Sequence, residues 1–138
     1  MRKIMIVDDN YLSAEGIEKN IDWEVLNAEI VHICYNGTSA IDAMKKEPVD
    51  LIISDIEMPD LDGISMSRQA LDINPMVKII LISAYDKFEY ARRALLLGAL
   101  DYIEKPLDYA YLIQKVKNAF ALMEREQKNL QLLKQSRP

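Results

Sequence analysis

Five short apolar runs alternate with segments of helical spacing, and this alternation limits the chain to few folds. The runs are residues 4–7, 30–34, 51–54, 77–83 and 99–104. The third run and most of the first and fourth are continuously apolar, which is typical of parallel strands covered by helices on both faces. The pattern predicts five βα units in a doubly wound α/β fold, and 138 residues suit one domain.

Each predicted strand leads into a predicted helix. The helical segments are residues 11–20, a helix that begins at the turn 36–38, residues 64–73, residues 87–97, and a long helix from about residue 108. Gly98 follows the fourth of them and is a favourable helix stop.

Polar side chains stand where the apolar runs end. Asp8 and Asp9 follow the first strand, Asp55 follows the third, Ser83 ends the fourth, and Lys105 follows the fifth. In open α/β sheets the ligand crevice lies at the carboxyl ends of the strands. If strands 1 and 3 are neighbours, we expect three carboxylates to meet in one pocket, bordered by a hydroxyl and an ammonium.

Three neighbouring carboxylates repel one another unless protons or a cation join them. The sequence has no His/Cys cluster of the kind that binds zinc. Mg²⁺ prefers carboxylate oxygens and often shares its coordination with a phosphate. Asp9 is the predicted direct ligand and Asp8 a ligand partly through water. Asp55 and the backbone carbonyl of Glu57 are the further predicted ligands. Asp8 or Asp9 taken alone would more simply be a helix cap.

A magnesium site of this kind indicates phosphoryl chemistry, which depends on positioning and charge neutralisation. Asp55 is the candidate nucleophile, forming an acyl phosphate. The Lys105 ammonium and the Ser83 hydroxyl would each bind a phosphoryl oxygen.

Four motifs carry a resemblance to a known family. They are IVDD (6–9), SDIEMPDLDG (54–63), LISA (81–84) and DYIEKP (101–106). Together they resemble the receiver domain of two-component response regulators over about residues 1–121. The resemblance implies a flavodoxin-like (βα)5 sheet with strand order 2-1-3-4-5. It also implies Mg²⁺ or Mn²⁺ as cofactor, a sensor histidine kinase as partner, phosphorylation of Asp55, and phosphoryl binding by Ser83, Ala84 and Lys105.

The resemblance extends to a narrower subgroup and to the Lys105–Pro106 bond. The segments IDW (21–23), SAYDKFEYA (83–91) and LGALDYIEKPLD (97–108) resemble receivers that precede an AraC-type helix-turn-helix domain. That implies an output in transcription, with DNA contacted only through a domain outside these 138 residues. The family also implies a cis Lys105–Pro106 peptide bond.

Regulatory roles are implied for four residues. Ser83 and Tyr102 would form the conformational switch, Tyr102 turning inward when the phosphoryl group draws Ser83; the alternative for Tyr102 is a half-buried strand tyrosine. Glu57 and Tyr85, each two residues beyond a site residue, would flank the path of the hydrolytic water and set the lifetime of the phosphorylated state.

The predicted last helix is longer than one domain needs. We assign residues 1–121 to the receiver and residues 122–138 to a helical extension or linker. The extension is either a solvated linker or a signalling helix that helps to form a homodimer.

Composition narrows the partners further. The net charge of −5 argues against direct DNA binding by this chain, and one cysteine allows no internal disulfide. The sequence contains no signal peptide and no apolar stretch of transmembrane length, so we expect a cytoplasmic protein without a membrane partner.

Three other functions are compatible with parts of this sequence. A receiver that acts alone through protein contacts is the first. A Mg²⁺-dependent phosphohydrolase of the haloacid-dehalogenase type would need an aspartate where Glu57 stands. A flavin or dinucleotide binder would need a glycine-rich loop after the first strand. We favour the receiver, which catalyses its own phosphorylation and dephosphorylation but is not a turnover enzyme.

Overall fold

The computed structural model describes residues 1–84 and 88–135. Five strands are present: β1 (Arg2–Val7), β2 (Ala28–Cys34), β3 (Leu51–Asp55), β4 (Lys78–Ser83) and β5 (Asp101–Glu104). They form one parallel sheet in the order β2-β1-β3-β4-β5. The predicted fold class and strand order are confirmed.

Five helices connect and follow the strands: α1 (Tyr11–Asn20), α2 (Gly37–Lys46), α3 (Gly63–Ile73), α4 (Phe88–Leu97) and α5 (Tyr109–Gln135). Side chains cap the first three. Asn10, Asn36 and Asp62 each accept hydrogen bonds from backbone N–H groups in the first turn of the helix that follows. Such caps satisfy donors that the helix itself leaves unpaired.

Helices cover both faces of the sheet. On one face, side chains of α2, α3 and α4 pack on alternate residues of β1, β3 and β4, such as Met5, Ile52 and Leu81. On the other face, α1 and α5 pack on the intervening residues, such as Ile6 and Ile53. Because both side-chain sets of these strands are buried, the strands read as continuous apolar runs.

The ends of some elements differ from the prediction. β2 begins at Ala28, two residues earlier than expected, because it pairs with β1 from Arg2 onward. β3 includes Asp55, which pairs with Ile82 of β4. β5 begins at Asp101 rather than at residue 99. These boundaries follow from strand pairing, which local composition does not encode.

No helix among the described residues is both long and apolar enough to cross a membrane.

Candidate functional site

Three carboxylates meet at the carboxyl edge of the sheet. Asp8 follows β1 and Asp55 ends β3, and β1 and β3 are hydrogen-bonded neighbours. One carboxylate oxygen from each of Asp8, Asp9 and Asp55 lies within 4.8 Å of the other two. Asp8 is 2% exposed and Asp55 8% exposed, whereas Asp9 is open to solvent. The cluster therefore has a buried floor and one accessible side.

Backbone hydrogen bonds orient these carboxylates. The Asn10 N–H donates to Asp8 Oδ1 (2.9 Å), and the Glu57 N–H donates to Asp55 Oδ1 (3.4 Å). The Asp8 N–H donates to the carbonyl of Cys34 on β2 (3.0 Å). The strand ends thus hold the acidic side chains in place from the main chain outward.

The Lys105 ammonium joins two of the carboxylates. Its Nζ lies 3.4 Å from Asp8 Oδ2 and 3.5 Å from Asp55 Oδ2, and its side chain is 22% exposed. The Lys105 N–H donates to the carbonyl of Ser83 (2.7 Å), which ties the end of β5 to the end of β4. The peptide bond between Lys105 and Pro106 is cis, as the resemblance implied.

Burial is the largest influence on the pKa values of Asp8, Asp55 and Lys105. Burial raises the pKa of Asp8 even though the Asn10 N–H and Lys105 oppose the shift. Burial also raises the pKa of Asp55, against the attraction of Lys105 and with the repulsion of Asp8. For Lys105, burial alone would lower the pKa, but the Asp55 and Asp8 carboxylates outweigh it, and the pKa lies above its usual value. The ammonium therefore stays charged between carboxylates that are costly to ionise.

The donor set fits a hard divalent cation. Asp8, Asp9 and Asp55 offer oxygen ligands, and Lys105 supplies one positive charge against their three negative ones. A buried excess of negative charge is the electrostatic condition in which Mg²⁺ or Mn²⁺ binding is favourable.

The remaining predicted site residues lie around this cluster. Ser83 ends β4 and is fully buried, and Ala84 follows it at the surface. Glu57 is partly buried in the loop after β3, and Tyr102 is partly buried on β5, where it pairs with Leu81 of β4. Tyr85 lies outside the described residues.

A comparison with protein families identifies the family of this chain. A model of the response regulator receiver domain matches residues 4–117. The chain belongs to this family. Receiver domains are signalling domains rather than classical enzymes; they interact with histidine kinases and bind Mg²⁺ at an acidic pocket.

Some curated relatives of this receiver are named as transcriptional regulatory proteins and others as response regulatory proteins. The chain is 29% identical over 126 residues to the uncharacterized transcriptional regulatory protein YesN of Bacillus subtilis, a match that covers 91% of this chain and 34% of the relative. The chain spans 34% to 44% of the length of the first curated relatives.

Two solved structures of regulators resemble this receiver, and one of them is named as an AraC transcriptional regulator. The REC domain of AraT, a response regulator from Geobacillus stearothermophilus, has a TM-score of 0.86 and 34% identity, covering 91% of this chain and 98% of that chain. A two component transcriptional regulator AraC from Clostridium phytofermentans has a TM-score of 0.82 and 29% identity, with coverage of 94% and 99%. The predicted resemblance to the AraC-type subgroup is confirmed at the level of the receiver.

Sequence reasoning missed two features of this receiver. A cavity of about 400 Å³ lies beside the carboxylates, and its lining includes Asp9, Glu57, Met58 and Arg93 of α4. Asp60, in the same loop as Glu57, contacts the first turn of α2. Arg93 carried no signal in the sequence, because its position depends on how α4 packs. The Asp60 signal, a polar residue in a turn, was too common to single it out.

Proposed function

We propose that this receiver accepts a phosphoryl group on Asp55 from the phosphohistidine of a sensor histidine kinase, in the cytoplasm. An Asp55 carboxylate oxygen attacks phosphorus as the P–N bond to imidazole breaks. The electron pair of that bond stays on the imidazole, which takes up a proton, and Asp55 becomes an acyl phosphate. The observation that carries this proposal is the meeting of Asp8, Asp9 and Asp55 with Lys105 at one edge of the sheet.

The chain's own residues have separate parts in this transfer. Asp8, Asp9, Asp55 and the backbone carbonyl of Glu57 would hold Mg²⁺ or Mn²⁺. When bound, the cation would offset the negative charge of the carboxylates and the incoming phosphoryl oxygens. Lys105 would move from its carboxylate partners to a phosphoryl oxygen.

The end of β4 would complete the phosphoryl site. The Ser83 hydroxyl and the Ala84 backbone N–H would bind further phosphoryl oxygens. The Lys105 N–H bond to the Ser83 carbonyl supports this arrangement, since it keeps the two residues side by side.

The test is phosphorylation by a small donor. Purified protein is incubated with acetyl phosphate and Mg²⁺, and its intact mass is measured for wild type, Asp55→Asn and Asp42→Asn. Asp42 is exposed on α2 and serves as a control for the loss of one carboxylate. We expect wild type and Asp42→Asn to gain one phosphoryl group that neutral hydroxylamine removes.

Two outcomes would contradict the proposal. One is modification of Asp55→Asn to the same extent as wild type, and the other is no modification of wild type. Sustained release of phosphate from a phosphate ester would instead indicate a hydrolase.

A switch through Ser83 and Tyr102 follows from the same transfer. Drawing the buried Ser83 hydroxyl toward the phosphoryl group would open space into which Tyr102 turns from its partly buried position on β5. If the Tyr102 ring has the same NMR environment before and after phosphorylation, this switch is wrong.

Glu57 and Tyr85 would set the lifetime of the acyl phosphate. Glu57 lies in the loop directly after Asp55 and lines the cavity beside the carboxylates, where a hydrolytic water would approach. Unchanged dephosphorylation half-lives in both Glu57→Ala and Tyr85→Ala would rule out this role.

The C-terminal helix is the proposed route to the output. We propose a receiver of residues 1–121 and an extension of residues 122–138 that helps to form a homodimer and leads to a DNA-binding domain outside this chain. Helix α5 continues unbroken to Gln135, and Leu130 and Leu132 are exposed on it, which supports the proposal. Sedimentation before and after phosphorylation would test the change in oligomeric state.

A further inference from the structure

The loop between β3 and α3, residues 56–62, rests against the beginning of α2. The Asp60 carboxylate accepts hydrogen bonds from the backbone N–H groups of Gly37 (3.3 Å) and Thr38 (3.1 Å). At Gly37 the contact is so close that a Cβ atom would overlap the carbonyl oxygen of Leu61. Residues more than twenty positions apart in the chain therefore form one tight junction, which we call the α2 clamp (Gly37, Thr38, Asp60 and Leu61).

Other bonds hold the two ends of this loop. The Ile56 N–H donates to the carbonyl of Ile82 on β4 (2.9 Å), and the Gly63 N–H donates to the carbonyl of Ile56 (2.8 Å). Asp62 caps α3 by accepting from the Ser65 N–H (2.8 Å). The α2 clamp adds an attachment near the middle of the loop, three residues after Glu57.

The clamp is strengthened by charge. The Thr38 hydroxyl, the Leu61 N–H and the N–H groups of α2 hold the pKa of Asp60 at about 2. Asp60 is therefore ionised at neutral pH, and its negative charge lies at the positive end of the α2 dipole. Hydrogen bonds to an ionised acceptor are stronger than those between neutral groups.

We infer that Asp60 is a positioning residue for the metal site: by fixing the loop to α2, it holds the Glu57 carbonyl in place beside the three carboxylates. This inference rests on the proposed function, because it assumes that Asp8, Asp9, Asp55 and the Glu57 carbonyl bind the cation. A backbone carbonyl can act as a ligand at low entropic cost only if its loop is already ordered. Partners that orient metal ligands typically contribute a factor of about 10 to 100 in metal affinity.

The experiment is a binding titration without any phosphoryl donor. Free Mn²⁺ is measured by electron paramagnetic resonance in titrations of metal-free wild type and of the variants Asp60→Ala, Asp60→Asn, Thr38→Val and Asp62→Asn. Asp62→Asn removes one negative charge from the same loop, and asparagine can still cap α3. It is therefore the matched control for the electrostatic effect of losing Asp60.

We expect Asp60→Ala to weaken Mn²⁺ binding about 10-fold. Asp62→Asn should weaken it no more than about 2-fold, since asparagine keeps the cap of α3 and the lost charge, although partly buried, is still reached by solvent and salt. Thr38→Val keeps the Asp60 charge but removes the hydroxyl that stabilises it, so its affinity should lie between wild type and Asp60→Ala. Asp60→Asn should bind more tightly than Asp60→Ala, because the amide oxygen still accepts a hydrogen bond.

Equal affinities of Asp60→Ala and Asp62→Asn would overturn the inference and leave the proposed function standing. If Asp60→Ala does not fold, an affinity of Asp60→Asn equal to that of Asp62→Asn overturns it, because both variants lose one charge from the loop and only Asp60→Asn weakens the bonds to α2. Failure of wild type to bind Mn²⁺ is a different result, because it removes the metal site itself and, with it, both proposals.

Discussion

The two edges of the sheet differ in how their charged side chains are paired. At the carboxyl edge, Asp8 and Asp55 share the ammonium of Lys105, Asp9 lies beside them, and burial raises the pKa of Asp8 and Asp55. We call these four residues the acidic edge. Its charges are unbalanced and partly desolvated, which weakens the folded state as long as no cation joins them.

At the opposite edge, each charge has one partner. Lys78 begins β4 and its Nζ lies 2.8 Å from Oε1 of Glu126 on α5, with side chains 15% and 29% exposed. Arg2, at the start of β1, donates to Gln127 of the same helix (3.5 Å). We call these four residues the basal edge. The pairing attaches α5 to the sheet beyond Met123, its last buried residue.

The difference corresponds to two tasks: the acidic edge is suited to binding, and the basal edge supports helix α5. An edge that must receive a cation and a phosphoryl group keeps charges that are unfavourable in its empty state. An edge that must hold a helix gives each cationic side chain one partner on that helix and gains a modest amount of stability from each contact. The stability of the protein should therefore depend on metal and pH through the acidic edge and on salt through the basal edge.

The largest expected effect comes from replacing the lysine of each edge and comparing the two losses of stability. Lys105→Met leaves the buried Asp8 and Asp55 carboxylates without their ammonium, and we expect it to lower the free energy of unfolding by about 3 kcal/mol. Lys78→Met breaks a single, partly exposed pair and should cost about 1 kcal/mol. Urea denaturation in metal-free buffer at pH 7 measures both. An equal or smaller loss in Lys105→Met would mean that the acidic edge is not under strain from its charges.

The next effect concerns pH. Because the pKa of Asp55 is raised in the folded state, protonation favours folding. This contribution is complete below the unfolded pKa of about 3.9 and is lost as the pH rises through the raised folded value. Metal-free Asp55→Asn should therefore be more stable than wild type at pH 7, by about 1 kcal/mol. The advantage should disappear at acid pH.

Asp60 shifts in the other direction, so its contribution is lost as the pH falls toward its pKa of about 2. Wild type and Asp55→Asn both contain Asp60, so its contribution cancels in the difference between their free energies of unfolding. Denaturation curves from acid to neutral pH, with and without Mg²⁺, provide the measurement. Added Mg²⁺ should remove the advantage of Asp55→Asn at pH 7; an advantage that persists unchanged with Mg²⁺ would contradict a cation site at the acidic edge.

The smallest effect is at the basal edge. Glu126→Gln breaks the pair with Lys78 and should lower the free energy of unfolding by about 0.5 kcal/mol, less at high salt. Amide hydrogen exchange in residues 124–135 should become faster. Glu124→Gln is the matched control, because the ion pair that Glu124 makes within residues 1–84 and 88–135 is with Lys128 on the exposed side of the same helix (3.6 Å). Equal exchange in the two variants would show that Lys78 does not hold α5.

Much of the fold could be predicted because its signal is local and repeated. Continuous apolar runs such as residues 51–54 indicated strands buried on both faces, and Asn36 and Gly98 marked helix ends. The prediction placed Asp8, Asp9, Asp55 and Lys105 at one edge, and they do lie together there. Their chemical roles stay predictions.

The parts that could not be predicted depend on distant pairings. The extension of β2 to Ala28 required its partner Arg2, and the position of Arg93 beside the site required the packing of α4. The α2 clamp required Asp60 and Thr38 to meet across 22 residues of sequence. Such contacts cannot be predicted from any periodicity in the sequence, because each contact joins single residues from two distant segments.

Hydrophobic period and turn chemistry act over a few neighbouring residues, so local sequence specifies which segments are strands and helices and places acidic and basic groups at the strand ends. How those groups share charge follows from tertiary packing. The side-by-side packing of β1, β3 and β4, and the helices that cover them, decide whether Lys105 contacts two carboxylates and how far Asp8 is buried. The same packing decides which loop Asp60 secures. Distances of a few ångströms and the exclusion of water govern the electrostatic free energy there.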